Sequence, residues 1–306
     1  MTAQAISMVL IGILGGALRV STPFLFVSLG ESITERSGRI NLGLEGTLVF
    51  GAMSAYAVSY HSGSPWLGVL AAALAGIAFG WVHGVMCSLP RVNDVAIGIA
   101  LMILGLGLAF FFGKAYVQPT APRLPEIALG EWSANPALRS ALRVNALILV
   151  GIVLAILLQL ALRYTRWGLI LRTVGDSENA ALALGLPVRR VRILATMCGS
   201  LLAGVGGAFL SLYYPGSWNE ALSSGQGVMA VALVIFARWQ PINCVYAALL
   251  FGGAGSIGPA LQAVGIQHGY HLWNAAPYVL TLVVMLFTVS PKRSTIGAPG
   301  ELALFR

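Results

Sequence analysis

Nine long apolar runs, separated by short polar connections, dominate the sequence. They lie near 6–30, 40–60, 65–89, 94–117, 143–163, 190–212, 226–237, 241–261 and 272–290. A helix needs about 20 apolar residues to cross the hydrocarbon core of a bilayer. Only 9% of the 306 residues are charged, whereas soluble domains carry roughly 25%. The sequence therefore predicts an all-α, polytopic integral membrane protein, with about 8–10 transmembrane helices in one domain over residues 1–306.

Two of these runs depart from the pattern of a simple spanning helix. The first contains Arg19 and Pro23, so we interpret it as an interfacial piece followed by a broken helix. The seventh, "GVMAVALVIFA", is too short to span and favours a half-helix. The polar "RWQP" that follows it suits either a plain helical hairpin or a tight turn before a gate-lining helix. We therefore expect one or more broken or re-entrant segments.

The basic residues predict the orientation of the chain in the membrane. The net charge is +8, and six arginines cluster around one loop, at about 164–190: Arg163, Arg166, Arg172, Arg189, Arg190 and Arg192. Cytoplasmic loops carry an excess of Lys and Arg, so this loop is predicted to be cytoplasmic. Alternation then places Arg91, Arg238 and the C-terminal segment on the same side, and the Pro-rich 118–142 loop outside. Because the basic residues are confined to connections, we do not expect nucleic-acid binding.

Motifs for catalysis or for nucleotide binding are not found in the sequence. No G-x-x-x-x-G-K-[ST] loop is present, so ATP is not expected to bind this chain. "GAGSIG", Gly253 to Gly258, lies in an apolar run with no acidic residue about 20 positions on, and we interpret it as tight helix packing or a helix break. Acidic and histidine residues are too few for a convincing enzyme site. We expect neither a metal nor a cofactor in this chain.

The polar stretch "GESITERSGRINLGLEG", Gly30 to Gly46, separates the first two apolar runs. Charged residues beside or within a span usually face protein or a water-filled path. Two interpretations stay open: a cytoplasmic turn with self-paired charges, or irregular backbone that lines a transport path near the midplane. The candidate path residues are Asn41, Gly43, Glu45 and Gly46.

A short amphipathic helix is predicted within "GDSENAALALGLPVRR", Gly175 to Arg190. Asp176 or Ser177 can cap its N-terminus, and Gly185 can end it in the left-handed conformation. Ala180, Ala181 and Leu184 are predicted to share one face. Two helical turns are not stable alone in water. Either the membrane domain or a partner with a groove must therefore hold this helix.

Three blocks of the sequence resemble the permease subunits of one class of ABC importer. The blocks are "ERSGRINLGLEG", "GDSENAALALGLPVRRVRILATMCGSLLAGVGGAFLSL" and "GQGVMAVALVIFARWQPINCVYAALLFG". The class serves branched-chain amino acids, simple sugars and nucleosides, and the first block is most similar to the nucleoside type. The resemblance implies that the short helix is a coupling helix that docks on an ATPase. The residues it assigns to coupling are Gly175, Asp176, Ala180, Ala181, Leu184, Gly185 and Leu186.

The same resemblance implies the assembly in which the chain acts. It predicts a cytoplasmic ABC ATPase that binds ATP and Mg²⁺, a second homologous permease chain in a heterodimer, and an extracytoplasmic substrate-binding lipoprotein of the basic membrane protein type. The location would be the cell membrane, inner or plasma, of a bacterial type. The expected cargo is a nucleoside or a simple sugar. The alternative is an ion-coupled secondary transporter, which usually needs acidic residues within spans, and only Glu45 and Asp94 come near.

Overall fold

A computed structural model describes residues 3–266, 268–288 and 298–303, and helices make up most of them. The longer helices are α1 Ala3–Arg36, α2 Leu44–Ser62, α3 Pro65–Met86, α4 Asp94–Gly113, α6 Ala146–Tyr164, α9 Val188–Leu212 and α11 Pro241–Ala263. The shorter ones are α5 Pro136–Ala141, α7 Arg166–Asp176, α8 Glu178–Ala183, α10 Gln226–Phe236, α12 Tyr270–Asn274, α13 Ala276–Thr288 and α14 Gly300–Ala303, with a 3-10 turn at Lys114–Tyr116. Strands β1 Glu126–Ala128 and β2 Arg143–Asn145 pair antiparallel, with Ile127 opposite Val144.

The prediction of an all-α polytopic membrane protein is confirmed. Within the described residues, six helices are long and apolar enough to cross a membrane: α1 from Ile6, α3, α4 to Tyr116, α6, α9 and α11. The sequence predicted about 8–10 transmembrane helices, and three of the nine apolar runs account for the lower number. Helix α2 has 19 residues, but it is less apolar, with Glu45 in its first turn and His61 in its last. Helix α10 has 11 residues, as expected of a half-helix. The ninth run is divided at Ala275 between α12 and α13, and α13 has 13 described residues.

The first helix differs from its predicted form. It is continuous through Pro23 and ends at Arg36, so the expected break in the first run is wrong. Its 34 residues rise about 51 Å, well beyond the roughly 30 Å hydrocarbon core. The extra length places Glu31 and Glu35 inside a helix, although the sequence analysis assigned them to a connection.

The centre of the protein is formed by α9, which packs against α1, α2 and α3, while α11 and α10 pack on the other sides of α1. Helices approach closely where small residues meet. A Cβ added at Gly16 in α1 would lie 2.2 Å from the Cβ of Ser256 in α11. The "GAGSIG" stretch lies within the continuous α11, so the tight-packing interpretation holds and the helix-break alternative does not.

The connections divide between two faces of the molecule. One face carries α8, the C-terminal end of α1 and the N-terminal ends of α4 and α11, and we call it the α8 face. The guanidinium of Arg39 lies 2.6 Å from the carboxylate of Asp94, and the guanidinium of Arg36 donates to the carbonyl of Trp239 at 2.7 Å. Asp94 and Trp239 closely follow Arg91 and Arg238 in the chain. Both arginines therefore belong to connections at the α8 face, as the charge distribution predicts. The 118–142 loop lies at the other ends of α2 and α9, where Leu124 N–H donates to the Leu212 carbonyl.

Candidate functional site

The segment 175–186, which we call the coupling segment, has well-defined helix ends. The Ser177 hydroxyl accepts the N–H of Ala180 at 3.3 Å, so Ser177 is the N-cap of α8, whereas Asp176 ends α7. At the other end, Leu186 N–H donates to the carbonyl of Ala181 at 3.0 Å and Gly185 adopts φ +73°. This is a Schellman ending, which requires a left-handed residue at the Gly185 position. The predicted start and stop signals therefore define a helix over 178–183.

The structure corrects the predicted exposed face of α8. Ala181 is fully buried in a small cluster with Val174 and Val188, so its side chain is not available on the outer surface. Ala180 and Leu184 are exposed, and Leu184 is 70% accessible. Residues 180 and 184 are four apart and share a face, while residue 181 is rotated toward the protein. The exposed side of α8 is therefore mostly apolar, with Ala180, Leu182, Ala183 and Leu184 beside the polar Asn179.

Gly175 joins the coupling segment to the end of the first helix. A Cβ at Gly175 would lie 2.1 Å from the carbonyl oxygen of Arg36 and 3.2 Å from the nitrogen of Gly38. No other residue type fits at this distance without displacing the backbone. The end of α7 is thus in direct van der Waals contact with the turn that follows α1.

Arg192 connects α8 to two other segments. Its guanidinium is buried and donates to the carboxylate of Glu178 at 2.6 Å and to the carbonyl of Ser37 at 3.1 Å. Its Nη2 also lies 3.5 Å from the carboxylate of Glu301, an ion-pair distance without a hydrogen bond. The other oxygen of Glu301 accepts the N–H of Glu178 at 2.7 Å. These contacts fasten α8, the end of α1 and the 298–303 segment into one unit.

The turn between α1 and α2, residues 37–43, is organised by Asn41. Its N–H donates to the carboxylate of Glu31 at 2.8 Å, and its side-chain amide donates to Ser200 in α9 at 3.1 Å. Its side-chain oxygen accepts the N–H of Gly43 at 2.9 Å. The irregular backbone is therefore held by polar groups from both neighbouring helices, as buried backbone away from water requires.

Glu45 lies in the first turn of α2 and is 6% exposed. One carboxylate oxygen accepts the Ser223 hydroxyl at 2.5 Å and the Gly225 N–H at 3.1 Å. The other accepts the N–H groups of Gly227 at 2.6 Å and Val228 at 3.3 Å. A carboxylate at this position satisfies the free N–H groups of a helix start and complements its dipole. Glu45 thus caps the half-helix α10 from another part of the chain.

The two glycines of the candidate path set serve close packing on α4. A Cβ at Gly46 would lie 2.5 Å from the carbonyl of Met102, and one at Gly43 would lie 3.1 Å from the carbonyl of Gly98. Asn41, Gly43, Glu45 and Gly46 are therefore brought together where α2 begins, between α4, α9 and α10. The coupling segment and this set meet through Ser37 and Gly38, only a few residues before Asn41.

Sequence reasoning missed two groups of polar residues. Glu31 and Glu35 are buried in the last turns of α1, and the indole of Trp239 donates to the carboxylate of Glu35. Arg192 and Glu301 were not recognised as partners of α8, since Glu178 and Glu301 are 123 positions apart. Glu31 and Glu35 carried one signal in the sequence: they are four residues apart, directly after an apolar run. This spacing would place both on one face if the helix continued.

The arrangement links a short, partly exposed helix to the ends of two long helices. No group of three or more His, Cys, Asp and Glu side chains in the part of the chain that is described is placed to hold a metal ion. What the geometry does provide is a short helix with a rigid attachment to the ends of α1 and α9. A displacement of α8 would move these helix ends directly.

Comparison with known proteins places this architecture in a family. The family model of the permease component of the branched-chain amino acid transport system matches residues 5–289. The nucleoside ABC transporter permease protein of Lactococcus lactis is 32% identical over 93% of this chain and 96% of its own. The guanosine ABC transporter permease protein of Bacillus subtilis is 29% identical over 89% of this chain and 90% of its own.

An archaeal relative shows a similar level of identity. The putative glucose ABC transporter permease protein of Haloferax volcanii is 33% identical over 79% of this chain and 75% of its own. These matches confirm the resemblance that the three sequence blocks indicated. The chain therefore belongs to the family of permease components of branched-chain amino acid transport systems.

Proposed function

We propose that this chain is the membrane-spanning subunit of an ATP-driven importer of nucleosides or simple sugars. Relatives whose names specify nucleoside, guanosine and glucose transport support this cargo class. The family consists of transport subunits rather than catalysts, which agrees with the sequence expectation that ATP is hydrolysed on a separate protein. Membership in an ABC permease family weighs against the ion-coupled alternative.

The coupling segment is the proposed contact with the ATPase. The observation that carries this step is that α8 has a mostly apolar outer face, with Leu184 70% exposed, on a segment that Arg192 ties to the ends of α1 and α9. An exposed leucine beside alanines suits a shallow groove on a partner, because few side chains must be ordered on docking. ATP-driven motion of the partner would pass through Arg192 and Gly175 to the turn at 37–43.

The rest of the assembly follows from this role. A second homologous permease chain would complete the path, and an extracytoplasmic binding lipoprotein would deliver the cargo. The α8 face would then be cytoplasmic, and the protein would reside in the cell membrane. The acidic residues that a secondary carrier would need have partners within this chain. Asp94 pairs with Arg39 and Glu45 caps α10, while the buried Glu31 and Glu35 accept the N–H of Asn41 and the indole N–H of Trp239.

The test is substitution of the exposed leucine of α8. Leu184→Arg places a charge on the docking face without disturbing buried groups, so the variant should remain in the membrane. Uptake and co-purification of the ATPase should each fall at least about tenfold, the equivalent of about 1.4 kcal/mol of binding.

Leu129→Arg is the matched control, because Leu129 is an exposed leucine, 45% accessible, in the loop at the opposite face. It should leave uptake and ATPase association unchanged. Normal uptake by Leu184→Arg, with the ATPase still bound, would refute the role of α8. Purification of the native chain from mild detergent without any ATPase would refute the importer itself.

A further inference from the structure

A cavity of about 470 Å³ lies between α1, α10, α11 and the α12–α13 segment. Small-molecule sites typically measure about 300–1,000 Å³. The residues that matter for its chemistry are Phe24, Ser224, Gln226, Met229, Asn274 and Tyr278. None of the described residues that line the cavity belongs to the coupling segment.

The depth of the cavity places it near the middle of the membrane. Phe24 lies twelve residues before the end of α1, and Gly255 lies fourteen residues after the start of α11. These separations correspond to about 18 and 21 Å from the α8 face, in a hydrocarbon core of about 30 Å. Transporters bind their cargo near the midplane, beside discontinuous helices. The half-helix α10 supplies such a discontinuity, and its first residue, Gln226, lines the cavity.

The polar groups of the cavity are neutral. Its lining includes the amides of Gln226 and Asn274 and the phenol of Tyr278, and none of the described residues that line it is acidic or basic. The Oε1 atom of Gln226 is buried and has no hydrogen-bond partner among the described residues. A buried polar atom without a partner is unfavourable, because it has lost its hydrogen bonds to water and gained none. A bound hydroxyl or N–H group would satisfy it.

The start of α10 borders this cavity and is closed to anions. A helix N-terminus ordinarily attracts carboxylates and phosphates through its free N–H groups. Here the Glu45 carboxylate already accepts the N–H groups of Gly225, Gly227 and Val228. The protein's own carboxylate thus occupies the position that the carboxylate of an amino acid or a phosphate would take. The remaining site favours a neutral solute.

From these observations we infer that the cavity is the cargo site of the permease and that it accepts an uncharged nucleoside. The ring of Phe24, 3% exposed, provides an apolar wall for a base. The amides of Gln226 and Asn274 provide donors and acceptors for ribose hydroxyls and base edges. Tyr278, whose hydroxyl donates to the Ser224 carbonyl at 3.2 Å, holds the α13 side of the cavity against the segment before α10. The inference rests on the proposed function for its choice of cargo.

The experiment measures protection of an introduced cysteine in the purified full-length chain. Ala275→Cys, at a lining residue without a polar side chain, is made in a Cys198→Ser background, because Cys198 is exposed whereas Cys87 and Cys244 are buried. The rate of labelling by a small methanethiosulfonate is measured with guanosine, glucose or leucine present. Mass action slows labelling by 1 + [L]/Kd, about threefold at twice the Kd. Guanosine should protect at least this much, glucose less, and leucine not at all.

Two further variants make the result specific. Ser224→Cys reports from the α10 side of the cavity and is used if Ala275→Cys folds poorly. Gln226→Leu, of similar size but without polar atoms, should abolish protection by guanosine at either cysteine, while Leu129→Cys at the far face should show none.

No protection by guanosine at either cavity cysteine overturns the inference. Protection by leucine or glucose equal to that by guanosine also overturns it. Because the assay contains no ATPase, its outcome is independent of the Leu184→Arg test. If guanosine protects the cysteine but the chain never binds an ATPase, the cavity remains the cargo site and only the proposed role as an importer subunit is refuted.

Discussion

The N–H of Gly227 donates to the carboxylate of Glu45 at 2.6 Å, and a methyl group at Gly227 would lie 2.7 Å from the Cα of Glu45. The two residues are 182 positions apart. This contact joins the first turn of α2 to the first turn of α10. Glu45 follows the turn after α1, and Gly227 follows Gln226, which lines the cavity, so this contact lies between the proposed route of motion from α8 and the proposed cargo site.

Gly227→Ala should damage this junction. The added methyl overlaps the backbone of Glu45, and forced overpacking costs about 1–3 kcal/mol. We expect a lower unfolding temperature in detergent and reduced uptake. Gly107→Ala is the control, because a Cβ at Gly107 in α4 meets nothing within 4 Å. It should leave the unfolding temperature unchanged or slightly raised. Equal effects of the two substitutions would contradict the close contact.

Glu45→Ala should reduce uptake without releasing the ATPase. The substitution removes the acceptor for three backbone N–H groups at the start of α10, and loss of a helix cap costs about 0.5–2 kcal/mol. The measurement pairs uptake with the amount of ATPase that co-purifies. Glu220→Ala removes a nearby carboxylate that is exposed and should change neither. Full uptake by Glu45→Ala would leave Glu45 with a purely local role.

Two neighbouring alanines of α8 should respond differently to arginine. Ala181 is fully buried, so Ala181→Arg should prevent α8 from packing and lower the amount of protein in the membrane. Ala180 is exposed, so Ala180→Arg should leave the protein at its normal level but lower uptake and ATPase association. Quantitative blotting of membranes, combined with uptake, separates the two effects. Normal membrane levels of Ala181→Arg would show that α8 rotates away from the observed orientation.

Arg192 should contribute more to stability than its partner Glu178. Arg192→Met removes the bonds to Glu178 and to the Ser37 carbonyl together, and bonds to a charged group contribute about 1.5–3 kcal/mol each. The side chain of Glu178 is 45% exposed, so Glu178→Gln should have a much smaller effect, since solvent screens exposed pairs. Thermal unfolding of the two variants and of the double variant gives the coupling. A larger loss for Glu178→Gln than for Arg192→Met would contradict the arrangement described.

Local features of the sequence were sufficient for much of this fold. The lengths of the apolar runs predicted a polytopic helical membrane protein, because the bilayer sets the length of a spanning helix. Ser177 and Gly185 predicted the ends of α8 to within a residue or two, because capping depends on side chains and φ angles within one turn. The short seventh run correctly predicted a half-helix.

Contacts between distant segments were decided only by the tertiary structure. Pro23 lies inside a continuous helix because neighbouring helices enclose it, although its local preference is for a break. The inward rotation of Ala181 depends on Val174 and Val188, and the acceptor of the Glu178 N–H and the donors to the Glu45 carboxylate lie more than 100 positions away. Hydrogen bonds between such distant residues leave no periodic pattern in the sequence. The sequence by itself therefore determined that the chain is a polytopic helical protein and where α8 begins and ends, whereas the packing of α1 and α2 on α9 determined which polar groups meet.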